Sequence, residues 1–211
     1  MLFAELLIRQ LGAPVAAIAE CNTRIHGPLL RRLAEYGSPG TQVVASQQEA
    51  LARFPDADRV FVVSPNTTHA EQLEIALAAG RHVLLEKPVA ASRADVDRIE
   101  ALSRETDRVV QLGFVLRYSA FYRKVRRIIR DGALGRVLMI QMNERLSALH
   151  GCTYRRGWRR RIAATGGFLN EKSSHDLDLM CWFKSPDAVP VSVFSVGGRH
   201  LFERSGTPES C

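Results

Sequence analysis

The chain has 211 residues, of which 46% are hydrophobic and 24% charged, with a formal net charge of +7. That apolar content excludes wholesale disorder, and the length suits one domain, or one and part of another, at ~100–200 residues each. The longest uncharged stretch, Tyr36 to Gln48, is mostly polar, so nothing approaches the ~18 apolar residues of a membrane span.

Met1 to Leu11 reads as a helix stopped by Gly12. Glu5 and Arg9 interrupt its apolar run, and no basic lead-in precedes it, so it is not a secretory signal. Pro14 to Ala19 is a short buried strand ending at Glu20. Pro28 to Tyr36 is helical, with Gly37 as its stop; Gln42 to Ala45 is a strand and Gln47 to Phe54 a short helix. Arg59 to Val63 is the continuous apolar run of a strand covered on both faces. Ser64-Pro65-Asn66 is a turn, after which Thr68 or a neighbour opens a helix to Ala79, closed by Gly80. His82 to Leu85 is a strand, Ser92 with Asp95 starts a helix to about Glu105, and Val109 to Val115 is a strand. This alternation predicts a parallel sheet with helices on both faces.

The character then changes. Phe121, Val125, Ile128 and Ile129 form the apolar stripe of a helix whose other face carries Arg123, Lys124, Arg126, Arg127 and Arg130. Val137 to Met142 is expected as a strand, Leu146 to Thr165 as a loop rich in arginine, Ser174 to Phe183 as a helix and Val189 to Val196 as an alternating strand. The expected organisation is an α/β domain over 1–116 and a second unit over 117–211.

Lys87, in Glu86-Lys87-Pro88, leaves a buried strand at its carboxyl end, where open parallel sheets bind ligands. On position alone, a lysine turning out to solvent is the more frequent case. Glu171 and His175 are four apart and His175 and Asp178 three apart, so on a helix they are neighbours. A histidine held by carboxylates is a proton acceptor near neutral pH; an acidic helix start favoured by the macrodipole is the plainer alternative. Glu20 ends the first strand, where a dinucleotide fold uses a carboxylate on the adenosine ribose, although a surface acid is the commoner case. Cys21, Cys152, Cys181 and Cys211 form no C-x-x-C pair, and no two-histidine motif exists, so no metal is expected. A reducing, cytoplasmic setting is expected.

These features fall in one order. Ser64-Pro65-Asn66 comes with His69, then Ala79-Gly-Arg-His-Val-Leu-Leu-Glu-Lys-Pro88 and Gly113 to Arg117-Tyr118. Asp131-Gly-Ala-Leu-Gly135, Trp158-Arg159 and Gly166-Gly167 through His175-Asp-Leu-Asp178 follow. Over nearly the whole chain this closely resembles the Gfo/Idh/MocA oxidoreductases, the glucose–fructose oxidoreductase and inositol dehydrogenase family. The resemblance implies an incomplete Rossmann-type parallel sheet followed by part of an α+β domain with an open-faced sheet. It implies NAD(P)-dependent hydride transfer at a hydroxyl-bearing carbon of a sugar, cyclitol or related polyol. Lys87 and His175 match the family's active-site lysine and histidine, and Glu171, standing where many members have aspartate, is implied as a third catalytic residue. Many members have glycine where this chain has Ser173, and Lys172 is expected to add a cation to the pocket. Glu20, Ser64, Pro65, Asn66, His69, Glu86, Lys87, Arg117, Trp158 and Arg159 are the residues it implies for the cofactor. Glu20 favours NAD by repelling a 2′-phosphate, while Arg24 keeps NADP open.

The chain has no G-x-G-x-x-G turn, and Met1 falls just past where the resemblance would put one. The open-faced sheet is also cut short, so a fragment, a misassigned start or a decayed gene is expected, with poor solubility and weak dinucleotide binding. The alternative function is a non-catalytic member that binds a sugar or a partner protein. A nucleic-acid binder, suggested by Arg155 to Arg161 and the basic helix, lacks any accompanying motif. Homo-oligomers are expected of the full-length family, with no membrane or nucleic-acid partner.

Overall fold

The computed structural model describes residues 2–154, 157–186 and 189–198. They form two compact units. One comprises Met1–Val63, His69–Leu85 and Arg98–Gln111; the other comprises Ser64–Thr68, Glu86–Asp97 and Leu112–Cys211.

The first unit carries the strand–helix alternation. Helix α1 (Leu2–Glu5) runs into a π-helical turn, Leu6–Gln10, that ends at Gly12 with φ +60°. Strand β1 (Ala17–Ala19) pairs in parallel with β2 (Gln42–Val44), Ile18 opposite Val43, and α2 (His26–Glu35) connects them. Helix α3 (Gln47–Arg53) starts at Ser46, whose hydroxyl accepts from the Glu49 amide at 3.1 Å, while the Glu49 carboxylate accepts from the Ala45 amide at 2.9 Å. Two orphan donors of the helix start are satisfied in this way.

Strand β3 (Arg59–Val62) pairs in parallel with β4 (His82–Leu85), Phe61 opposite Leu84, across α4 (His69–Ala78). Helix α5 (Arg93–Glu105) leads to β5 (Val110–Leu112), so the strand order is β3-β4-β5. The β1-β2 pair is a separate sheet among the described residues. Leu33, Leu73, Ala76 and Leu85 are fully buried, joined by Val44, Val62, Val83 and Ile99. Each buried leucine contributes about 1.5–3 kcal/mol of hydrophobic stabilisation. The run at β3 is not covered evenly as its composition suggests: burial is graded from exposed Arg59 to buried Val62, and Val63 is exposed.

In the second unit, Ser92 accepts from the Asp95 amide at 3.1 Å and donates to its carboxylate at 2.7 Å, which starts α5 as expected. A 3-10 turn, Val115–Tyr118, precedes α6 (Ala120–Arg130). No residue of α6 is fully buried, and at its start the inward position is Tyr122 rather than the expected Phe121. Phe121 is 68% exposed, whereas Tyr122 turns inward, its ring 6.3 Å from that of Phe183 on α9 (Ser174–Lys184). Tyr122, Val125, Arg126 and Ile129 share one face at helical spacing, and Arg126 places its guanidinium 4.4 Å from the Trp182 ring.

The segment 146–165 is not the expected loop. It holds α7 (Ala148–Thr153), a 3-10 turn at Gly157–Arg160 and α8 (Ile162–Thr165). Ser147 caps α7 by accepting from the His150 amide at 3.3 Å, a local signal that the arginine-rich composition obscures. Arg155 and Arg156 lie outside the described residues. Neither Val137 to Met142 nor 189–196 forms a strand. Leu138, Met139, Val191 and Val193 are exposed, and no described neighbour supplies the ladder that an extended segment needs for its backbone donors. Among the described residues no helix is long and apolar enough to cross a membrane.

Candidate active site

Several candidate residues gather in the second unit. Strand β4 ends at Leu85, and the following Glu86-Lys87-Pro88 turns at once. The Glu86 carboxylate accepts the Lys87 amide at 2.7 Å. Gly113 lies against it: a Cβ there would sit 3.1 Å from the Glu86 carboxylate, so only glycine lets the two segments approach without displacement.

Lys87 is half-buried, and its ammonium donates to the main-chain carbonyl of Glu171 at 2.7 Å. Burial pushes the ammonium below the usual lysine range, against the opposing charges of Glu171 and Glu86. The Glu171 carbonyl occupies one of the three N–H bonds of this cation. The plainer reading of Lys87 as a lysine leaving for solvent therefore fails.

Glu171 sits in a π-helical turn, Leu169–Ser173, immediately before α9. Its side chain is 7% exposed, and both oxygens are engaged. Asn66 donates to Oε2 at 2.7 Å, and Arg159 donates to Oε1 at 3.4 Å. Asn170 braces the same turn by donating to the carbonyls of Ala90 at 2.9 Å and Thr165 at 2.7 Å. Gly166, at φ +75°, completes this packing: an added Cβ would lie 2.6 Å from the Asn170 amide nitrogen and 2.7 Å from the Ala91 carbonyl oxygen. Gly166→Ala is expected to cost about 1–3 kcal/mol from the left-handed backbone alone, with the clash in addition. Thermal denaturation should show the drop, and Gly167→Ala, with nothing within 4 Å of its Cβ, should show the smaller loss.

His175 lies in the first turn of α9, with the Phe114 ring edge-on at 6.2 Å. Among the described residues its Nδ1 is buried without a hydrogen-bond partner. The imidazole is held below its ordinary range by burial and then by the charges of Lys87 and Lys172, opposed by Asp178 and Glu144. It is therefore neutral at neutral pH. The expectation that carboxylates hold it is corrected in one respect: no hydrogen bond joins His175 to Glu171 or Asp178. Asp178 is taken by Arg117, whose Nε and terminal nitrogen donate to its two oxygens at 2.8 and 2.5 Å. That fork, rather than helical proximity to His175, decides the partner of Asp178.

A cavity of about 470 Å³ opens on His175. Leu116, Tyr122 and Met142 give its apolar wall, and Asn143, Glu144, Lys172 and Asp176 its polar one. The Lys172 ammonium is 2.5 Å from Glu144. Burial opposes that charge, but the Glu144 hydrogen bond and the charges of Glu144, Tyr154 and Asp176 together outweigh it and hold Lys172 above its ordinary range. Burial and the adjacent Glu144 carboxylate push the Asp176 carboxyl up. The sequence places Lys172 near the pocket, but Asn143 and Glu144 carry no such signal, because residues in an irregular stretch have no periodicity to mark them.

The remaining predicted residues divide. Ser64 and Thr68 share a hydroxyl hydrogen bond at 2.8 Å, and Thr68 donates to the Pro65 carbonyl at 2.8 Å. Arg159 stacks over Trp158 at 4.6 Å. Glu20 and His69 belong to the first unit. There Glu20 accepts the Asn22 amide at 2.8 Å just after β1, and His69 is fully buried at the start of α4. Among the described residues no group of three His, Cys, Asp or Glu could hold a metal.

Two family models match the chain. Residues 22–114 match an oxidoreductase family with an NAD-binding Rossmann fold, and residues 122–209 match a GFO/IDH/MocA C-terminal domain. The chain is 33% identical over 164 residues to an inositol 2-dehydrogenase of Gluconacetobacter diazotrophicus, covering 77% of this chain and 45% of that one. It is also 33% identical over 148 residues to a 1,5-anhydro-D-fructose reductase of Ensifer adhaerens, covering 70% and 44%. Among solved structures it matches the WlbA dehydrogenase of Chromobacterium violaceum in complex with NADH and UDP-GlcNAcA. The TM-score is 0.72 at 24% identity, over 87% of this chain and 51% of that one. The chain thus spans about half the length of the relatives it matches.

Proposed function

The chain belongs to the GFO/IDH/MocA oxidoreductase family, and from that premise we propose that it oxidises or reduces a hydroxyl-bearing carbon of a sugar, cyclitol or other polyol with a nicotinamide dinucleotide. The observation that carries this reading is that one unit holds both Lys87, its ammonium fixed on the Glu171 carbonyl at 2.7 Å, and His175, four residues beyond Glu171 with a buried, unpartnered Nδ1. The dinucleotide, when bound, supplies the hydride acceptor or donor.

The donor set suits the reactive end of such a cofactor and its alcohol. Lys87 retains unused N–H capacity, and His175 has an orphaned buried nitrogen, which native proteins seldom leave without a function or a ligand. Ser64, Pro65, Asn66, His69, Glu86, Lys87, Arg117, Trp158 and Arg159 are proposed to hold the dinucleotide, with Glu20 on the ribose and a preference for NAD. Several of them are held in place by hydrogen bonds: Asn66 donates to Glu171, the Lys87 amide to Glu86, and Arg117 to Asp178. Activity is to be sought at saturating NAD.

In this proposal neutral His175 takes the hydroxyl proton, and Lys87 steadies the developing alkoxide. Glu171 is a positioning residue: its carbonyl fixes the Lys87 ammonium, and its carboxylate is spent on Asn66 and Arg159. His175→Ala is expected to abolish polyol turnover while sparing NAD affinity, as measured by steady-state rates and cofactor titration. Unchanged turnover would reject the assignment.

A further inference from the structure

We propose that Glu144 and Asp176, with Lys172 held against Glu144, select substrate charge, accepting the hydroxyls of an uncharged polyol and turning away a ligand that bears a carboxylate. This inference rests on the proposed function and narrows its substrate class. The cavity beside His175 is about 470 Å³, within the ~300–1,000 Å³ range of small-molecule sites. Its polar wall holds two carboxyl groups and one ammonium, while His175 contributes no positive charge near neutral pH.

The ammonium is already committed. Lys172 stands 2.5 Å from Glu144, so its charge is already offset by that carboxylate before a ligand arrives. The same ligand would meet Asp176 and Glu144 as like charges in a half-enclosed space, where repulsion is poorly screened. A hydroxyl faces neither cost. Carboxylate oxygens are acceptors only, and neighbouring hydroxyls of a polyol supply the donors they lack. Asn143 adds an amide that both donates and accepts, which suits a hydroxyl equally.

A purely structural role for the Glu144–Lys172 pair, tying the irregular 137–147 segment to the π-helical turn, predicts the same loss for every ligand when the pair is cut. Charge selection predicts opposite shifts from opposite substitutions. The test is binding of myo-inositol and of galacturonate to the full chain without cofactor, by ligand-observed saturation-transfer NMR, for the parent and four variants. The parent should bind myo-inositol at least ~10-fold more tightly than galacturonate, the order of one charge-assisted contact. Glu144→Gln and Asp176→Asn should each narrow that ratio by about 10-fold, and Lys172→Met should widen it. Glu144→Asp, which keeps the charge, should keep the preference and guards against a folding defect in the others.

A ratio that moves in the same direction in all three charge variants, or in none, overturns the proposal. So does a parent that prefers galacturonate or binds neither probe. Turnover of polyols without any charge preference would sink this inference alone. Absence of turnover with the charge preference intact would instead sink the oxidoreductase reading.

Discussion

Lys87→Met should lower polyol oxidation at saturating NAD by about 10²–10³-fold, the cost of losing one donor aimed at a developing oxyanion. The substitution keeps the apolar stem and removes the charge, so packing beside Pro88 is retained. A second effect follows from the electrostatics. The Lys87 ammonium is one of the groups that holds His175 down, so its removal lets the imidazole rise toward its ordinary range. The base then protonates at higher pH, and the acid limb of the rate profile moves upward. Loss of turnover with no movement of that limb would mean that Lys87 acts elsewhere than beside His175. Turnover within a few-fold of the parent would remove Lys87 from the chemistry.

The Glu171 variants should part company. If Glu171 exchanged protons with substrate, Glu171→Gln and Glu171→Ala would both lose the ~10²–10⁴-fold of a general acid–base group. The geometry instead makes it a strut, with its carboxylate closed off by Asn66 and Arg159 and its carbonyl bonded to Lys87. Glutamine retains an acceptor oxygen and the volume, so its turnover should stay within about 10-fold of the parent, the scale of one weakened hydrogen bond. Alanine strands the buried Asn66 amide and leaves Arg159 without its partner. It should cost about 1–3 kcal/mol of stability together with most of the activity. Thermal melts and steady-state rates on both variants distinguish the roles: equal inactivation by Gln and Ala would restore Glu171 as a proton-transfer group.

Locally marked features were readable from the residues. Ser92 with Asp95, and glycines at 37 and 80 with positive φ, mark helix ends by capping or by left-handed backbone, both of which depend on neighbours in sequence. The apolar runs of β3 and β4 were equally visible. A stripe boundary was less so: Phe121 and Tyr122 differ by one 100° step, and only packing against Phe183 chooses Tyr122 for the inside. The strands expected at 137–142 and 189–196 depended on partners that no local pattern can guarantee.

At the site, Lys87 and His175 stood out by position and resemblance, and their roles followed from residue type. Their partners did not. Asn66 is 105 residues from Glu171, Arg117 is 61 from Asp178, and Lys87 reaches Glu171 across 84, so each bond exists only through the fold. Helical spacing suggested carboxylates on His175, yet Asp178 found a bidentate arginine instead, which satisfies a carboxylate better than one imidazole N–H.

The pairing of a neutral imidazole with a half-buried ammonium is tested most directly by the pH dependence of polyol oxidation at saturating NAD, in the parent and in His175→Gln. The depressed imidazole must be unprotonated to act, so the parent should stay active on falling pH until below the ordinary histidine range, then lose rate as His175 gains its proton. In His175→Gln that limb should vanish along with nearly all turnover. A parent-like limb and rate in the glutamine variant would contradict the account.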